Sequence, residues 1–304
     1  MQIVTTADLL AEGLRHPDIR HLVDIGELHR VRRGAYLRGP DQRLVAEQQH
    51  RALIQAVAAA HPDAVLSHVS AAVLHDLPVP LRSLARVHLT KQGRNTGSKR
   101  LDHSYLHRVT QEIPTVVVEE LVVTDLPTTV LDLIRALQPA DAVAVADRAL
   151  ALGLDRAELL ERIGRERGRR GNANARRVLL FADRLAESAG ESWTRWAFHC
   201  AGLPAPKLQV EFFDHRGVPV ARVDFDWPEW GVCAEFDGEI KYGRLLRPGQ
   251  GVADVIRAEK SREEELRRAS GRWLVRVIAR ELDDLAELRR TILDAAGHAA
   301  RRAG

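Results

Sequence analysis

One stretch decides the fold of the C-terminal third: RVDFDWPEWGVCAEFDGEIKYG, residues 222–243. Polar and apolar residues alternate up to Trp227, and a second apolar run follows the turn that ends at Gly231. This pattern predicts two strands joined by a short turn. Because the turn reverses the chain, Asp224 on the first strand and Glu235 on the second are expected to lie side by side.

The acidic residues of this stretch stand where a charge is costly. Glu235 follows Val-Cys-Ala in a nearly apolar run, and a buried carboxylate has to be paired or bound to a metal. Strand alternation places Asp237 on the same face as Glu235. Grouped carboxylates suit Mg²⁺, or Mn²⁺, which would activate a water molecule and offset the charge that develops on a cleaved phosphodiester. Lys241 is the first candidate for a basic residue at this site, and Lys260 is the second.

Two structural alternatives stay open for these acids. In the first, Asp224 and Glu235 are paired within the fold, and the candidate partners are Arg222, Arg276 and Lys241. In the second, Glu191 is an acid in the first turn of a helix, where the helix dipole favours a negative charge.

Around residues 222–243, the pattern predicts the order helix, β-hairpin, strand, helix, strand, helix. The predicted bounds are a helix over 190–199, strands over 208–213, 219–225 and 232–236, a helix over 252–268, a strand over 274–278 and a helix over 282–296.

Residues 188–285 resemble the PD-(D/E)XK nuclease superfamily and, within it, the branch of the very-short-patch-repair endonucleases. Three phrases carry this likeness: RVDFDWPEWGVCAEFDGEIKYG (222–243), EKSREEEL (259–266) and WLVRV (273–277). The resemblance implies a restriction-endonuclease-like α/β domain that cleaves phosphodiesters with a metal ion. It implies that Glu191, Asp224 and Glu235 are the catalytic acids of this domain.

The chain departs from the superfamily pattern at one position. The superfamily has a lysine two residues after Glu235, where this chain has Asp237. Relatives in the branch also carry Asp there, followed four residues later by a His, and here that position is Lys241. Metal binding is therefore expected from Asp224, Glu235 and Asp237, and Asp237 and Lys241 join the catalytic candidates. The basic role, which is to stabilise the developing charge or position the water, has moved to Lys241 or been lost. Two further residues, Arg262 and Arg276, match basic positions of the branch and are expected to contact phosphate.

The first forty residues predict two short helices followed by two short strands, which is the order of a winged helix-turn-helix. Arg33-Gly34 is the turn between the strands. In that fold the second helix enters the major groove and the wing contacts phosphate. The expected DNA-contacting residues are Arg20, His21, Arg30, Arg32 and Arg33. The alternative is a small α/β cap whose arginines face water.

Residues 42–150 alternate between helices and strands. Helices are predicted over 44–60, 67–74, 128–137 and 141–152, and strands over 87–90, 105–109 and 119–123. The histidines His68, His75 and His107 are scattered rather than placed at ligand spacing, so no metal site is expected here. No nucleophile elbow, phosphate-binding loop or dinucleotide fingerprint is present, so no nucleotide cofactor is expected.

Most of residues 1–150 resembles the AbiEi-type antitoxins, which join a winged-helix repressor to a small α/β domain. The matching phrases are GELHRVRRGAYLRG (26–39), LSHVSAAVLHDLP (66–78) and VTDLPTTVLDLIRAL (123–137). The resemblance implies DNA binding and transcriptional autoregulation. It leaves open whether a cognate toxin or a second copy of the chain is the partner.

Composition sets the outer limits. The 304 residues include 45 Lys+Arg and 42 Asp+Glu, and the formal charge of +3 is too small to demonstrate a nucleic-acid partner. No run of 18 apolar residues and no secretory signal is visible, so a membrane protein is excluded and a cytoplasmic location is expected. Two cysteines cannot build a disulfide framework or a zinc cluster.

Residue usage divides the chain. Twelve of the 14 Phe, Trp and Tyr follow residue 180, whereas ten of the 13 His precede residue 108. This predicts an α/β multidomain protein with a winged helix over 1–41, an AbiEi-like α/β domain over 42–152, an arginine-rich helical linker over 153–187 and a nuclease-like domain over 188–304. The expected function is a Mg²⁺-dependent endonuclease that the winged helix brings to DNA. The alternatives are a repressor with an inactive nuclease fold and a nuclease that acts on RNA.

Overall fold

The structure is a computed structural model and describes residues 2–39, 45–238 and 262–303. Over these residues the chain is a mixed α/β protein with three separate sheets. It divides into two compact units: a first unit of Met1–Leu137 with Leu154–Arg176, and a second unit of Gln138–Gly153 with Arg177–Gly304. In the part of the chain that is described, no helix is both long enough and apolar enough to cross a membrane.

The first unit begins with a small three-stranded sheet and two helices. Its elements are β1 (Gln2–Thr5), α1 (Thr6–Ala11), α2 (His16–Asp24), β2 (Leu28–Arg32) and β3 (Ala35–Arg38). The sheet order is β1-β3-β2. Both expected helices and both expected strands are present, and β1 is an additional strand that pairs antiparallel with β3. Thr5 ends β1 and also caps α1, since its hydroxyl accepts the Asp8 N–H at 3.1 Å.

A six-stranded mixed sheet forms the rest of the first unit, in the order β6-β7-β5-β4-β9-β8. Its strands are β4 (Val65–Leu66), β5 (Val87–Gln92), β6 (Gly97–Arg100), β7 (Ser104–Val109), β8 (Thr115–Val118) and β9 (Leu121–Thr124). The helices α3 (Ala46–Ala60), α4 (His68–Leu74), α5 (Leu126–Ala136) and α7 (Arg156–Arg165) belong to the same unit. Strands β4, β6 and β8 were not expected from the sequence, and Glu119 and Glu120 form a turn rather than the start of β9.

A buried histidine ties α3 to its neighbours. His50 is 1% exposed; its Nδ1 lies 2.7 Å from the Leu84 carbonyl oxygen and its Nε2 lies 3.1 Å from Ser70 Oγ. The carbonyl can only accept, so Nδ1 carries the proton and Nε2 accepts from the hydroxyl. Burial accordingly lowers the pKa of His50.

The arginine-rich stretch is only partly a solvated helix surface. It contains α7 and α8 (Asn172–Phe181). Arg169 forms an ion pair with the buried Asp132 at 2.6 Å, and Asn172 accepts a hydrogen bond from Arg135 at 2.9 Å. Residues 154–176 are therefore integrated in the first unit rather than forming a separate linker.

The second unit is built on a four-stranded sheet in the order β10-β11-β12-β13. Its elements are α6 (Pro139–Ala151), α9 (Ala189–Cys200), β10 (Lys207–Phe213), β11 (Pro219–Trp227), β12 (Val232–Asp237), a helix α10 over 262–270, β13 (Trp273–Ile278) and α11 (Leu285–Ala303). The pairs β10–β11 and β11–β12 are antiparallel, whereas β12–β13 is parallel. Phe198, Phe225 and Trp227 are the largest buried side chains of the core beneath the sheet. Of the helix expected over 252–268, residues 252–261 lie outside the described residues.

The position of α6 differs from the sequence-based boundary at residue 152. This helix groups with the second unit, in which its Asp147 forms a buried ion pair with Arg195 of α9 at 2.8 Å. Ser192 of α9 donates a second hydrogen bond to Asp147 at 2.8 Å. A carboxylate and a guanidinium on distant segments gave no periodic signal, so the sequence pattern placed the division after α6 instead of before it.

Candidate functional site

The stretch 222–238 folds as the expected pair of antiparallel strands, β11 and β12. Phe225 is paired with Ala234, so one step further along the same register Asp224 stands opposite Glu235. At this point a side chain takes the place of a backbone carbonyl in the hydrogen bonding between the strands, because Asp224 Oδ2 accepts the Phe236 N–H at 2.8 Å. The expectation that the turn brings Asp224 and Glu235 side by side is met by this register.

Glu191 is held at the start of α9 by a capping arrangement. Ser188 caps the helix by accepting the Glu191 N–H at 3.1 Å, and its hydroxyl donates to Glu191 Oε1 at 2.7 Å. Glu191 Oε2 accepts the Glu187 N–H at 2.9 Å. These contacts match the interpretation of Glu191 as a first-turn acid, and they fix the direction of its carboxylate.

One residue that the sequence did not single out connects Glu191 with the strand acids. Gln209 of β10 donates through Nε2 to Glu191 Oε2 at 2.8 Å, and the same nitrogen lies 3.5 Å from Asp224 Oδ1. Its amide oxygen is buried without a hydrogen-bond partner among the described residues. The φ angle of Gln209 is +51°, a backbone conformation that residues other than glycine seldom adopt. Gln209 therefore places Glu191 and Asp224 at one site.

Close packing at the base of α9 requires a glycine. A Cβ atom on Gly190 would overlap the ring of Phe236. The ring belongs to the residue whose backbone N–H binds Asp224. Gly190 thus lets the first turn of α9 approach the end of β12, which brings Glu191 toward the strand acids.

The three acids share an electrostatic environment. Burial raises the pKa of Glu191, of Asp224 and of Glu235 above the usual range of each carboxyl. The negative charge of Asp224 further raises the pKa of both Glu191 and Glu235. Holding three carboxylates together here therefore costs free energy, and carboxyl groups with such shifted pKa values are typical of functional sites.

Basic residues surround Glu235 in a way that the sequence did not fully predict. Arg262 of α10 donates through Nη2 to both oxygens of Glu235, at 2.7 and 2.6 Å. The partners proposed from the sequence were Arg222, Arg276 and Lys241. Arg222 forms an ion pair with Glu187 at 2.5 Å, and its charge opposes the rise in the pKa of Asp224. Arg276 stands opposite Glu235 on β13 and opposes the rise in the pKa of Glu235.

The remaining predicted site residues are less well connected. Asp237 ends β12, opposite Ile278 of β13. Within the described residues, Asp224 and Glu235 form no group of three ligands with Asp237 or with Glu191 in which all ligand atoms lie within 4.8 Å of one another. Lys241 and Lys260 lie outside the described residues.

The basic residues predicted to contact DNA fall into two groups. Arg20 and His21 on α2, and Arg30 and Arg33 on the β2–β3 hairpin, are exposed. Arg32 is engaged within the fold, because its Nε and Nη2 donate to the Ala56 carbonyl at 3.2 and 2.8 Å. Arg32 therefore anchors the hairpin to α3, and the other four residues remain accessible to a ligand.

A second cluster of ligand-type side chains lies in the first unit. His68, His88 and His107 come together so that one ligand atom from each lies within 4.8 Å of the others. The sequence interpretation excluded a metal site in this segment, and it overlooked His88 altogether. A usable signal existed: His88 and His107 lie on strands β5 and β7, which pair in parallel.

Comparison with known proteins supplies no function. No known family model matches the chain. Two uncharacterized proteins of Mycobacterium tuberculosis, from strains CDC 1551 / Oshkosh and ATCC 25618 / H37Rv, are each 36% identical to it over 167 residues. The match covers 51% of this chain and 59% of each relative. The chain thus spans less than two thirds of the length of these relatives.

Proposed function

We propose that this chain is a DNA-binding protein whose second unit is a metal-dependent phosphodiesterase of the PD-(D/E)XK type. The observation that carries the proposal is that Asp224 of β11 and Glu235 of β12 lie next to the last pair of the β11–β12 register, Phe225 and Ala234, with Gln209 linking Asp224 to Glu191. Two acids on neighbouring strands and a third in the first turn of a preceding helix are the arrangement that the resemblance implies.

The donor set fits a hard divalent cation such as Mg²⁺ or Mn²⁺. The fit rests on three carboxylates whose pKa values are raised by burial and, for two of them, by the charge of Asp224. A cation would relieve this repulsion, and oxygen ligands are those that Mg²⁺ prefers. Asp224 and Glu235 would hold it, and when bound it would activate water and neutralise charge on the phosphate.

The residues of the chain have distinct parts in this proposal. The Phe236 N–H fixes one oxygen of Asp224 and leaves the other directed toward the site. Gln209 and the capping contacts hold Glu191 in one orientation. Arg262 neutralises Glu235 in the described conformation. With a cation and a phosphodiester present, its guanidinium would turn to the phosphate, the role that the resemblance implies for it.

The first unit would deliver this site to DNA as a winged helix. Helix α2 carries Arg20 and His21 for the major groove, and the β2–β3 hairpin carries Arg30 and Arg33 for the backbone. Exposed arginines on a two-stranded hairpin supply phosphate contacts of the kind that set affinity and position. Arg32 would contribute indirectly, by holding the hairpin against α3.

Cleavage of supercoiled plasmid tests the proposal. The full chain is incubated with plasmid and Mg²⁺ or Mn²⁺, beside EDTA and the double variant Asp224→Asn/Glu235→Gln, which keeps the volume of both side chains. Glu211→Gln is the matched control, since Glu211 is an exposed carboxylate on β10 of the same sheet. We expect metal-dependent nicking by the wild type and by Glu211→Gln, and none by the double variant. Lack of nicking with either metal, or nicking that persists in the double variant, would overturn the assignment.

Two specific features favour a second candidate function. Asp237 stands where the superfamily has its lysine, and Glu235 is already neutralised by Arg262. Both features suit a nuclease fold that has become a non-enzymatic module of an antitoxin-like repressor. This candidate predicts salt-sensitive DNA binding without cleavage, so the same plasmid experiment combined with a binding assay separates the two functions.

A further inference from the structure

Three histidines from three different elements converge in the first unit, far along the chain from the carboxylate site. His68 begins α4, His88 lies in β5 and His107 lies in β7. The parallel register of β5 and β7 pairs His88 with Tyr105 and Thr90 with His107. One nitrogen from each imidazole lies within 4.8 Å of the nitrogens of the other two.

The separation of the imidazoles matches a shared metal ion. His88 Nδ1 and His107 Nε2 are 3.0 Å apart. Two imidazoles on one tetrahedral zinc, with Zn–N bonds of about 2.0–2.1 Å, hold their nitrogens about 3.3 Å apart. The His68 ring stacks on His107 with a centroid distance of 4.0 Å and lies 5.5 Å from the His88 ring. The nitrogens lie within the span of one ion, and the His68 ring would turn out of its stack on His107 to direct a nitrogen at that ion.

Hydrogen bonds at the outer nitrogens of His68 and His107 are compatible with metal binding through their inner nitrogens, and the proton shared between His88 Nδ1 and His107 Nε2 would be released on binding. His107 Nδ1 lies 3.0 Å from Ser98 Oγ, which leaves Nε2 directed at His88. His68 Nδ1 lies 3.1 Å from Ser67 Oγ and 3.8 Å from a carboxylate oxygen of Asp132. Histidines that bind metals usually donate their other N–H to such oxygens, which fixes the ring and raises its basicity.

The protonation state also fits. Burial and the proximity of the other imidazoles lower the pKa of His68 and the pKa of His88 to about 3. Burial likewise lowers the pKa of His107. These rings are therefore neutral near pH 7, and the neutral imidazole is the form that binds metal.

The cluster is accessible and leaves room for a further ligand. A cavity of about 850 Å³ in the first unit is lined by His68 and His107 together with Asp132 and Arg169. It gives a metal ion a path to the cluster. Three protein ligands leave one tetrahedral position open to a water molecule or an anion.

We propose that His68, His88 and His107 bind one divalent transition metal of the zinc class. Imidazole nitrogen suits zinc and its neighbours in the transition series, whereas Mg²⁺ prefers oxygen, so this site and the carboxylate site select different metals. Ser98 and Ser67 are positioning residues that orient His107 and His68. The site does not depend on the proposed nuclease function.

Zinc titration of the full chain tests this proposal directly. The protein carries Asp224→Asn/Glu235→Gln, is stripped of metal, and is titrated with Zn²⁺ by calorimetry in excess Mg²⁺, so that the carboxylate site cannot account for uptake. We expect one Zn²⁺ per chain. His107→Gln is expected to weaken binding by at least about 100-fold and Ser98→Ala by about 10-fold, by analogy with losses of outer contacts to metal ligands. His61→Gln, a change at an exposed histidine of the same unit, is expected to leave the titration unchanged.

A spectroscopic measurement on the unmutated histidines guards against a folding defect in the variants. Co²⁺ in a tetrahedral histidine site gives strong visible bands that octahedral aqueous Co²⁺ lacks. Those bands should appear with one equivalent of Co²⁺ and disappear on addition of Zn²⁺. A titration without stoichiometric uptake, Co²⁺ spectra that stay like those of the free ion, or equal uptake by His107→Gln in its folded state would each refute the proposal.

Discussion

Replacing Asp147 by alanine should strongly destabilise the second unit. The Asp147 carboxylate is 1% exposed, and it accepts hydrogen bonds from Arg195 at 2.8 Å with both oxygens. It also accepts from Ser192 Oγ at 2.8 Å and from the Asp183 N–H at 2.7 Å. Burial raises the pKa of Asp147, and Arg195 opposes that rise. The carboxylate is thus retained in a costly environment by its partners.

The magnitude follows from the charge that the substitution leaves behind. Arg195 is 7% exposed, with its guanidinium against the Phe181 ring at 4.3 Å and bonded to the Phe181 carbonyl at 2.8 Å. Removing one partner of a buried ion pair costs about 3–5 kcal/mol, because the other charge is left without compensation. Asp147→Ala should lower the free energy of unfolding by this amount. The double variant with Arg195→Ala should cost about 1–3 kcal/mol less than the sum of the single changes.

Denaturant unfolding followed by tryptophan fluorescence measures this effect selectively. All five tryptophans follow residue 192 and therefore report on the second unit. Glu264→Ala is the matched control, because its ion pair with Arg268 is exposed and should contribute only about 0.3–0.5 kcal/mol. A loss below about 1 kcal/mol for Asp147→Ala, or strict additivity with Arg195→Ala, would refute the assignment of this pair as the link between α6 and α9.

Four further outcomes follow from particular positions in the structure. Gly190→Ala should cost about 1–3 kcal/mol by denaturant unfolding and should abolish any nicking, because the new methyl group displaces Phe236. Gly164→Ala, in open space within α7, should instead stabilise the chain by about 0.5–1 kcal/mol, and a loss there would contradict the reasoning. His50 has a lowered pKa in the folded state, so its contribution to the free energy of unfolding is complete well above pH 6.5. That contribution declines as the pH falls through 6.5, because the unfolded chain then takes up a proton that the folded chain does not. Between about pH 8 and 5.5 the wild type should lose up to about 1.4 kcal/mol more than His50→Gln, and equal losses would exclude a role for His50. Arg33→Gln should reduce the slope of log affinity for duplex DNA against log salt by about 1, and an unchanged slope would remove the hairpin from the interface.

The site could be predicted from the sequence wherever its geometry is local. The pairing of Asp224 with Glu235 depends only on strand alternation and on a turn of known length, both of which are visible in residues 222–243. The same holds for Glu191 at the start of α9, since Ser188 precedes it at the capping distance. In these cases a few consecutive residues contain all the information.

Contacts between distant segments could not be predicted in this way. Gln209 reaches Glu191 from the regular part of the β10–β11 register, where the neighbouring pairs Leu208–Phe225 and Val210–Val223 place it opposite Asp224. Arg262 reaches Glu235 across 27 residues, although the sequence offered nearer arginines. Hydrophobic periodicity gives the direction and face of each element, but it does not fix which long side chain of another element meets a buried charge.

The histidine cluster shows the same limit for metal sites. Spacing rules for metal ligands work when two ligands share one helix or one turn. His68, His88 and His107 are instead 20 and 19 residues apart, and they meet because β5 and β7 pair in parallel while α4 begins directly after β4. Every second side chain along a strand points to the same face of the sheet. Two histidines that lie on the same face of two paired strands can therefore form a ligand pair, however far apart they are in the sequence. A search for metal sites in such sheets therefore has to follow strand pairing and not ligand spacing.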